Sequence, residues 1–388
     1  MSVQIVKQPN SYCFAGNPVS FVFSSSTNDE FRVVVNVAGE SLELSLYPYG
    51  ASSPYQADLE LSDLLQKYFN VPTISDSDII TPIDNFSLPY SISVSGVTLF
   101  SGVAFQGGVS RSFSKLLIKN RITDIFKYRL ANRYHQFLFT TRTNGRDVKL
   151  KYSELYPFVF IHPGIAISFR SGEGDVVDTT AKVKGTICHL DVSYLCYIFN
   201  NSFGYVPSVI EVIIEDRTSF TISLEHPVAV EDKSFIRFKN SLGAFEVIEL
   251  TGTAYHAPQF GEEYTWQSNV GGNVFEQRRE RVGSRDTIEI ESGFKTRTEI
   301  NHLQDMIKSD EAYFIYPDGF EQRCHVSVDT LRFRNRIVSP TSVPLKIRMV
   351  DDEVYVSPYR DFFSSPFVLS TESGQIMVTE NNNNNILV

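Results

Sequence analysis

The chain has one tryptophan, four methionines and four cysteines in 388 residues. It has no apolar run approaching the roughly 18–20 residues that a membrane-spanning helix needs, so no span is expected. Cys13, Cys188, Cys196 and Cys324 lie far apart without a framework spacing. No disulfide scaffold is therefore expected, and a reducing compartment is the expected setting. The start, Met1-Ser-Val-Gln-Ile-Val-Lys, has no basic stretch followed by an apolar one, so no signal peptide is expected. Chemistry-bearing motifs are also missing. There is no Gly-x-Ser-x-Gly elbow, no His-Glu-x-x-His helix and no phosphate-binding loop ending in Gly-Lys-Ser/Thr.

The chain is rich in Phe (30) and Tyr (19), and 42% of it is hydrophobic, which a disordered chain would not be. Aromatic and β-branched residues fit a pleated, half-buried surface, so the fold leans towards β. The length implies two or three domains. The net charge of −10 is unevenly spread. Residues 1–110 carry 3 basic and 10 acidic side chains, residues 111–151 carry 11 and 2, and residues 152–388 carry 21 and 33. A basic band between acidic ends suits contact with copies of the same chain.

Alternation places strands at Val19–Ser24, Phe31–Val37 and Ser41–Tyr47, with a hairpin of Tyr90–Ser95 and Val97–Phe105 about Gly96. A short helix capped by Ser62 or Asp63 would bury Leu61, Leu64, Leu65, Tyr68 and Phe69. Gln106-Gly-Gly-Val marks a boundary. Ile122–Leu130 is ambiguous between helix and strand. Phe137–Thr141 and Lys149–Lys151 are expected to flank an Asn144-Gly145 turn. Further strands are expected at Phe158–Ile161, Ile165–Arg170, Thr179–Leu190, Val209–Glu215 and Ser219–Leu224. A hairpin over Ser234–Gly252 turns at Asn240–Gly243, with Ile236 and Phe238 on one face and Arg237 and Lys239 on the other.

The segment Thr287–Val356 is the most informative. It predicts a strand at Thr287–Glu291, an amphipathic helix over Thr298–Lys308 with Ile300, Leu303 and Ile307 on one face, then strands at Ala312–Tyr316, Cys324–Arg334 and Leu345–Val356. The expected architecture is mainly β and multi-domain. It comprises a β-sandwich-like domain at 1–105, a second β domain at 106–252, a small β-barrel with one helix at 253–363, and a mobile tail at 364–388 containing the Asn381–Asn385 tract.

The candidate sites are few. Cys188-His189 and Cys324-His325 are adjacent on strands, so each pair points to opposite faces and grips one ion poorly. The expectation is a buried Cys beside a half-exposed His, with no metal and no cofactor. Among carboxylates, Asp351-Asp352-Glu353 reads as a hairpin turn and Glu289 with Glu291 as one wet strand face, so no acid–base pair and no enzyme are expected. The basic band, Arg111, Lys115, Lys119, Arg121, Lys127, Arg129 and Arg133, is interleaved with aromatics and could meet phosphates. Pairing with acidic surfaces of neighbouring subunits outweighs nucleic acid as the reading. Tyr264 and Trp266 sit in a Gly- and Asn-rich stretch where sugars could stack. Burial of Trp266 at a domain junction is the expectation set against that.

Phe137-Leu-Phe-Thr-Thr-Arg-Thr, Glu154-Leu-Tyr-Pro-Phe-Val-Phe-Ile and Phe235-Ile-Arg-Phe-Lys-Asn-Ser-Leu-Gly-Ala-Phe-Glu-Val-Ile-Glu-Leu-Thr-Gly together resemble structural proteins of phages and prophages of Bacteroides-type bacteria. The Thr287–Val356 module is similar to the barrels of distal-tail and baseplate-hub proteins. The resemblance implies a non-enzymatic tail or baseplate subunit. Such a subunit would form a ring or adaptor with copies of itself and other tail proteins. It would be assembled in the bacterial host cytoplasm and reside in the virion. The alternative is a carbohydrate-binding or host-surface recognition module.

Overall fold

The computed structural model describes residues 3–70, 72–74, 78–119, 137–142, 147–155, 157–225, 233–272, 274–279, 282–316, 319–329 and 342–353. The Ile122–Leu130 segment, the Asn144-Gly145 turn and the 364–388 tail lie outside them. The chain forms two compact units. Unit 1 takes Met1–Lys151, Leu155–Glu225 and Asn240–Phe245, and unit 2 takes Tyr152–Glu154, His226–Lys239 and Glu246–Val388. The fold is mainly β and multi-domain, as its composition implies.

Unit 1 opens with β1 (Val3–Lys7), β2 (Tyr12–Phe14), β3 (Ser20–Ser25), β4 (Phe31–Val37), β5 (Glu40–Leu46), β6 (Tyr55–Glu60), α1 (Ser62–Gln66), β7 (Thr73–Ile74), β8 (Ile80–Asp84), β9 (Ser87–Val94) and β10 (Val97–Phe105). Two sheets, β1-β3-β6 and β2-β10-β9-β4-β5, enclose one core. Period-two alternation fills it with Phe21, Phe23, Val33, Val35, Ile92 and Phe100. In α1 the expected apolar face is buried or packed against this core. The cap differs from expectation, because Leu61 occupies the cap position. The Ser62 hydroxyl instead donates to the Asn17 carbonyl.

The rest of unit 1 contains α2 (Arg111–Lys119), β11 (Phe137–Leu138), β12 (Asp147–Lys151), β13 (Phe158–Ile161), β14 (Ile167–Ser171), β15 (Val176–Asp178), β16 (Ile187–Leu190), α3 (Val192–Phe203), β17 (Val209–Ile214) and β18 (Arg217–Glu225). The sheets are β11-β13-β16-β8-β7 and β12-β18-β17-β14-β15. Strand β8 therefore pairs with β16, across the expected boundary at residue 105. Strands β13 and β16 are buried at every residue, as strands covered on both faces must be. The expected strand Thr179–Leu190 is real only at its end, because Gly185 turns at φ +87 just before β16. Helix α3, unanticipated, begins where the Asp191 carboxylate accepts the Tyr194 N–H at 2.9 Å and ends at left-handed Gly204. Two glycines allow a close backbone approach. A Cβ on Gly107 would lie 2.4 Å from the Ser241 oxygen, and one on Gly243 would lie 2.5 Å from the Gln106 oxygen.

Unit 2 contains β19 (Ser234–Lys239), β20 (Phe245–Leu250), β21 (Ala254–His256), β22 (Gln259–Phe260), β23 (Thr265–Gly271), β24 (Val274–Arg279), β25 (Ser284–Glu291), α4 (Arg297–Ile307), β26 (Ala312–Ile315), β27 (Glu321–Ser327) and β28 (Pro344–Glu353). One sheet runs β20-β19-β26-β27-β28-β25-β21, with β22 also on β25. The expected hairpin at 234–252 thus belongs to the sheet of the terminal module, across the expected boundary at 252. Its faces are as expected. Ile236 and Phe238 are buried in the core with Leu303 and Met306 of α4, while Arg237 bonds Glu321 and Lys239 bonds Glu311. The expected barrel is not closed, because β20 and β21 remain the two ends of the sheet. Asp351–Glu353 continues β28 rather than turning, since Asp352 pairs opposite Arg285 and Glu353 opposite Ser284.

Candidate functional site

The β23–β24 hairpin pairs only with itself among the described residues. Its tip is made by Asn269, whose Oδ1 accepts the Gly271 N–H at 2.9 Å, and by Gly271 and Gly272, both at positive φ. Cross-strand register puts Trp266 opposite Arg278, Ser268 opposite Glu276 and Asn269 opposite Phe275. Trp266 and Phe275 therefore lie on opposite faces of the ribbon. Every described residue of the two strands is exposed except half-buried Ser268. Trp266 is 49% and Phe275 60% exposed, with Val270 and Val274 exposed near the tip. This overturns the expectation of a buried Trp266. Among the described residues no strand or helix covers either face, and average burial is a property of the residue type rather than of this ribbon. Tyr264, at the base, is exposed and its hydroxyl donates to Glu262 at 3.1 Å. The charged run at Glu276 is solvated, as expected, and Arg279 pairs with Glu263 at 3.1 Å.

Of the basic band, Arg111, Lys115 and Lys119 lie on α2, exposed and four residues apart, so they form one stripe along the helix. Arg121, Lys127, Arg129 and Arg133 lie outside the described residues.

The β20 end of the large sheet is closed off by side chains. The Glu249 N–H donates to Glu154 Oε1 at 2.6 Å, and Lys295 Nζ donates to the Glu249 carbonyl at 2.7 Å. Glu154, Glu249 and Lys295 are all buried. Nearby in the core, His302 Nε2 lies 3.4 Å from Glu246 Oε2, and both are buried. The carboxylate and ammonium take the main-chain groups that an incoming strand would need, which is how a sheet edge is blunted.

The remaining candidates do not converge. Glu289 bonds Lys346 at 3.0 Å and Glu291 accepts from Ser342 at 2.6 Å, beside a cavity of about 280 Å³. Among the described residues no three His, Cys, Asp or Glu side chains gather as a metal site. All four cysteines are free. Burial pushes the Cys188 and Cys196 thiols up to about 11 and Cys324 to about 12, so they stay protonated and weakly nucleophilic. Cys324 is buried, as expected, beside His325, which is exposed rather than half-exposed, whereas His189 is buried like Cys188 because β16 is covered on both faces. No helix among the described residues is long and apolar enough to cross a membrane.

Comparison with known proteins adds little. No family model matches the chain, and no curated protein matches it. Among solved structures it is similar to a chain from a study of the host cell surface retention of a 1.5-MDa bacterial ice-binding adhesin. The identity is 9%, the match covers 73% of this chain and 96% of that one, and the TM-score is 0.15. At that score the likeness carries no argument.

Proposed function

We propose that the chain is a non-enzymatic structural subunit of a phage or prophage tail or baseplate, assembling with copies of itself and other tail proteins into a ring or adaptor. The observation that carries the assembly part is the β23–β24 hairpin. A lone two-stranded hairpin is marginal in water, and this one bares Trp266, Val270, Val274 and Phe275. Exposed apolar side chains on both faces of a ribbon are stabilised by a protein cover. Its outer strand edges also offer main-chain partners, whereas Glu154 and Lys295 occupy the β20 edge. The α2 stripe supplies charge that sets register against an acidic surface. The assignment to a tail rests on the sequence resemblance, and residence in the virion follows from it.

The test is mass measurement in solution with negative-stain imaging, on the wild type and on Trp266→Ser/Phe275→Ser. The expected result is rings or defined oligomers for the wild type and monomers for the variant. A wild-type chain that stays monomeric at high concentration with its tail neighbours present defeats the proposal.

The half-exposed Trp266 also favours a second reading, glycan recognition at the hairpin. Loss of glycan binding in Trp266→Ala would support it.

A further inference from the structure

We infer that unit 1 carries a site for a neutral oligosaccharide on the outer face of the sheet β2-β10-β9-β4-β5, separate from the hairpin. An open groove of about 720 Å³ lies there, bordered by Tyr12, Asn36, Ser91 and Ser101. That volume is within the ~300–1,000 Å³ range of small-molecule sites. Among the described residues that line it none is charged, although 21% of the chain is. The contrast holds within a single sheet. The far end of the same face carries the Arg32–Glu43 ion pair at 3.0 Å. Towards the groove the cross-strand row becomes Ser101, Ser91, Asn36 and Ser41.

This row is pre-oriented. Asn36 Nδ2 donates to Ser91 Oγ at 3.3 Å, and Ser41 Oγ donates to Asn36 Oδ1 at 2.6 Å. Hydroxyl and amide groups both donate and accept, which matches a ligand whose own groups are hydroxyls. Beside the row stands an aromatic platform. Tyr12 is stacked on fully buried Phe105, with ring centroids 6.0 Å apart and planes at 28°. Phe105 fixes the ring, and the 43% of Tyr12 left exposed borders the groove. A pyranose offers one apolar C–H face and a rim of neutral hydroxyls. The platform takes the first and the row takes the second. A charged ligand would find no counter-charge, and a proline-rich peptide needs several parallel aromatic ridges.

The inference stands independently of the assembly reading, since Tyr12 and Trp266 belong to different units. The test is a glycan array carrying neutral and acidic sugars, probed with the full chain, followed by calorimetric titration of the hits. At least one neutral oligosaccharide is expected to bind. Ser101→Arg, which places a long cation in the groove from an exposed strand position, and Tyr12→Ala are each expected to weaken binding about tenfold or more, which is about 1.4 kcal/mol. Tyr12→Phe keeps the ring and is expected to keep the affinity, and Trp266→Ala is expected to leave it unchanged. Thermal melts confirm that the variants fold. Four results would overturn the site: no neutral glycan bound at millimolar concentration, binding that survives Ser101→Arg, binding abolished by Trp266→Ala alone, or capture of a proline-rich peptide in place of a sugar.

Discussion

Two hairpins of unit 2 invert each other. In β19–β20 the charged residues Glu246 and Glu249 are inside, at 1% and 0% exposure. In β23–β24 the aromatic residues Trp266 and Phe275 are outside. Both ribbons have strands of six or seven residues and tight turns containing Asn and Gly. The first has its strands covered, because its core face meets α4 and its edge meets Glu154 and Lys295. The second has no such cover among the described residues. A buried carboxylate with partners marks a finished surface, and an exposed tryptophan on an unsupported ribbon marks an unfinished one.

The sharpest way to break this contrast is to open the finished hairpin. Glu154→Ala removes the acceptor of the buried Glu249 N–H. Leaving a buried donor unsatisfied costs about 1–3 kcal/mol, and more where the lost partner is charged. A fall in unfolding free energy of about that size, read from the urea midpoint, is expected, with light scattering from the unblocked β20 edge. Glu154→Gln/Lys295→Met is expected to cost less than the sum of the single changes, by about 0.5–3 kcal/mol of coupling. If Glu154→Ala melts like the wild type, the edge cap is not structural.

How much of this was legible in the residues depends on the range of the interaction. Local patterns were readable. Ile236 and Phe238 against Arg237 and Lys239 stand as alternation requires, and Ile300 and Leu303 mark the buried face of α4. The start of that helix was also readable in Thr296 and Glu299, whose carboxylate accepts the Thr296 N–H at 2.7 Å, yet spacing of apolar residues alone does not single it out. Helix α3 hid because Ile187–Leu190 runs straight into an apolar stretch, and only Asp191 and Gly204 punctuate it. Non-local pairing was not readable. Nothing in Ile80–Asp84 reveals that it pairs with β16, about a hundred residues on, and so the boundary at 105 falls elsewhere. The exposure of Trp266 was equally hidden, because it depends on what fails to cover the hairpin.

Buried polar groups elsewhere sharpen the comparison at a smaller scale. His189, on β16, has neither ring nitrogen hydrogen-bonded, and His162 lacks a partner for Nε2. Burial holds both below the ordinary histidine range, with Lys182 adding to the effect at His162 and Asp191 opposing it at His189. A depressed histidine binds fewer protons folded than unfolded, so stability is complete above the unfolded value near 6.5 and falls as pH drops below it. Urea midpoints are therefore expected to decline between about pH 6.5 and pH 5. His189→Gln is expected to flatten that decline, and an unchanged slope would remove His189 from the account.

The smallest expected effect on folding belongs to the unfinished hairpin, and that is what makes it decisive. Trp266→Ser/Phe275→Ser changes only exposed side chains, so the unfolding free energy is expected to move by no more than about 0.5 kcal/mol per site. The same pair on β19–β20, for example Ile236→Ser/Phe238→Ser, removes fully buried side chains and is expected to unfold unit 2. An assembly that dissociates while the melt stays put identifies the bare faces as a surface held for a partner. An assembly that persists through Trp266→Ser/Phe275→Ser means that copies meet elsewhere. The stripe of Arg111, Lys115 and Lys119 then becomes the surface to reverse in charge, with salt-sensitive dissociation as its mark.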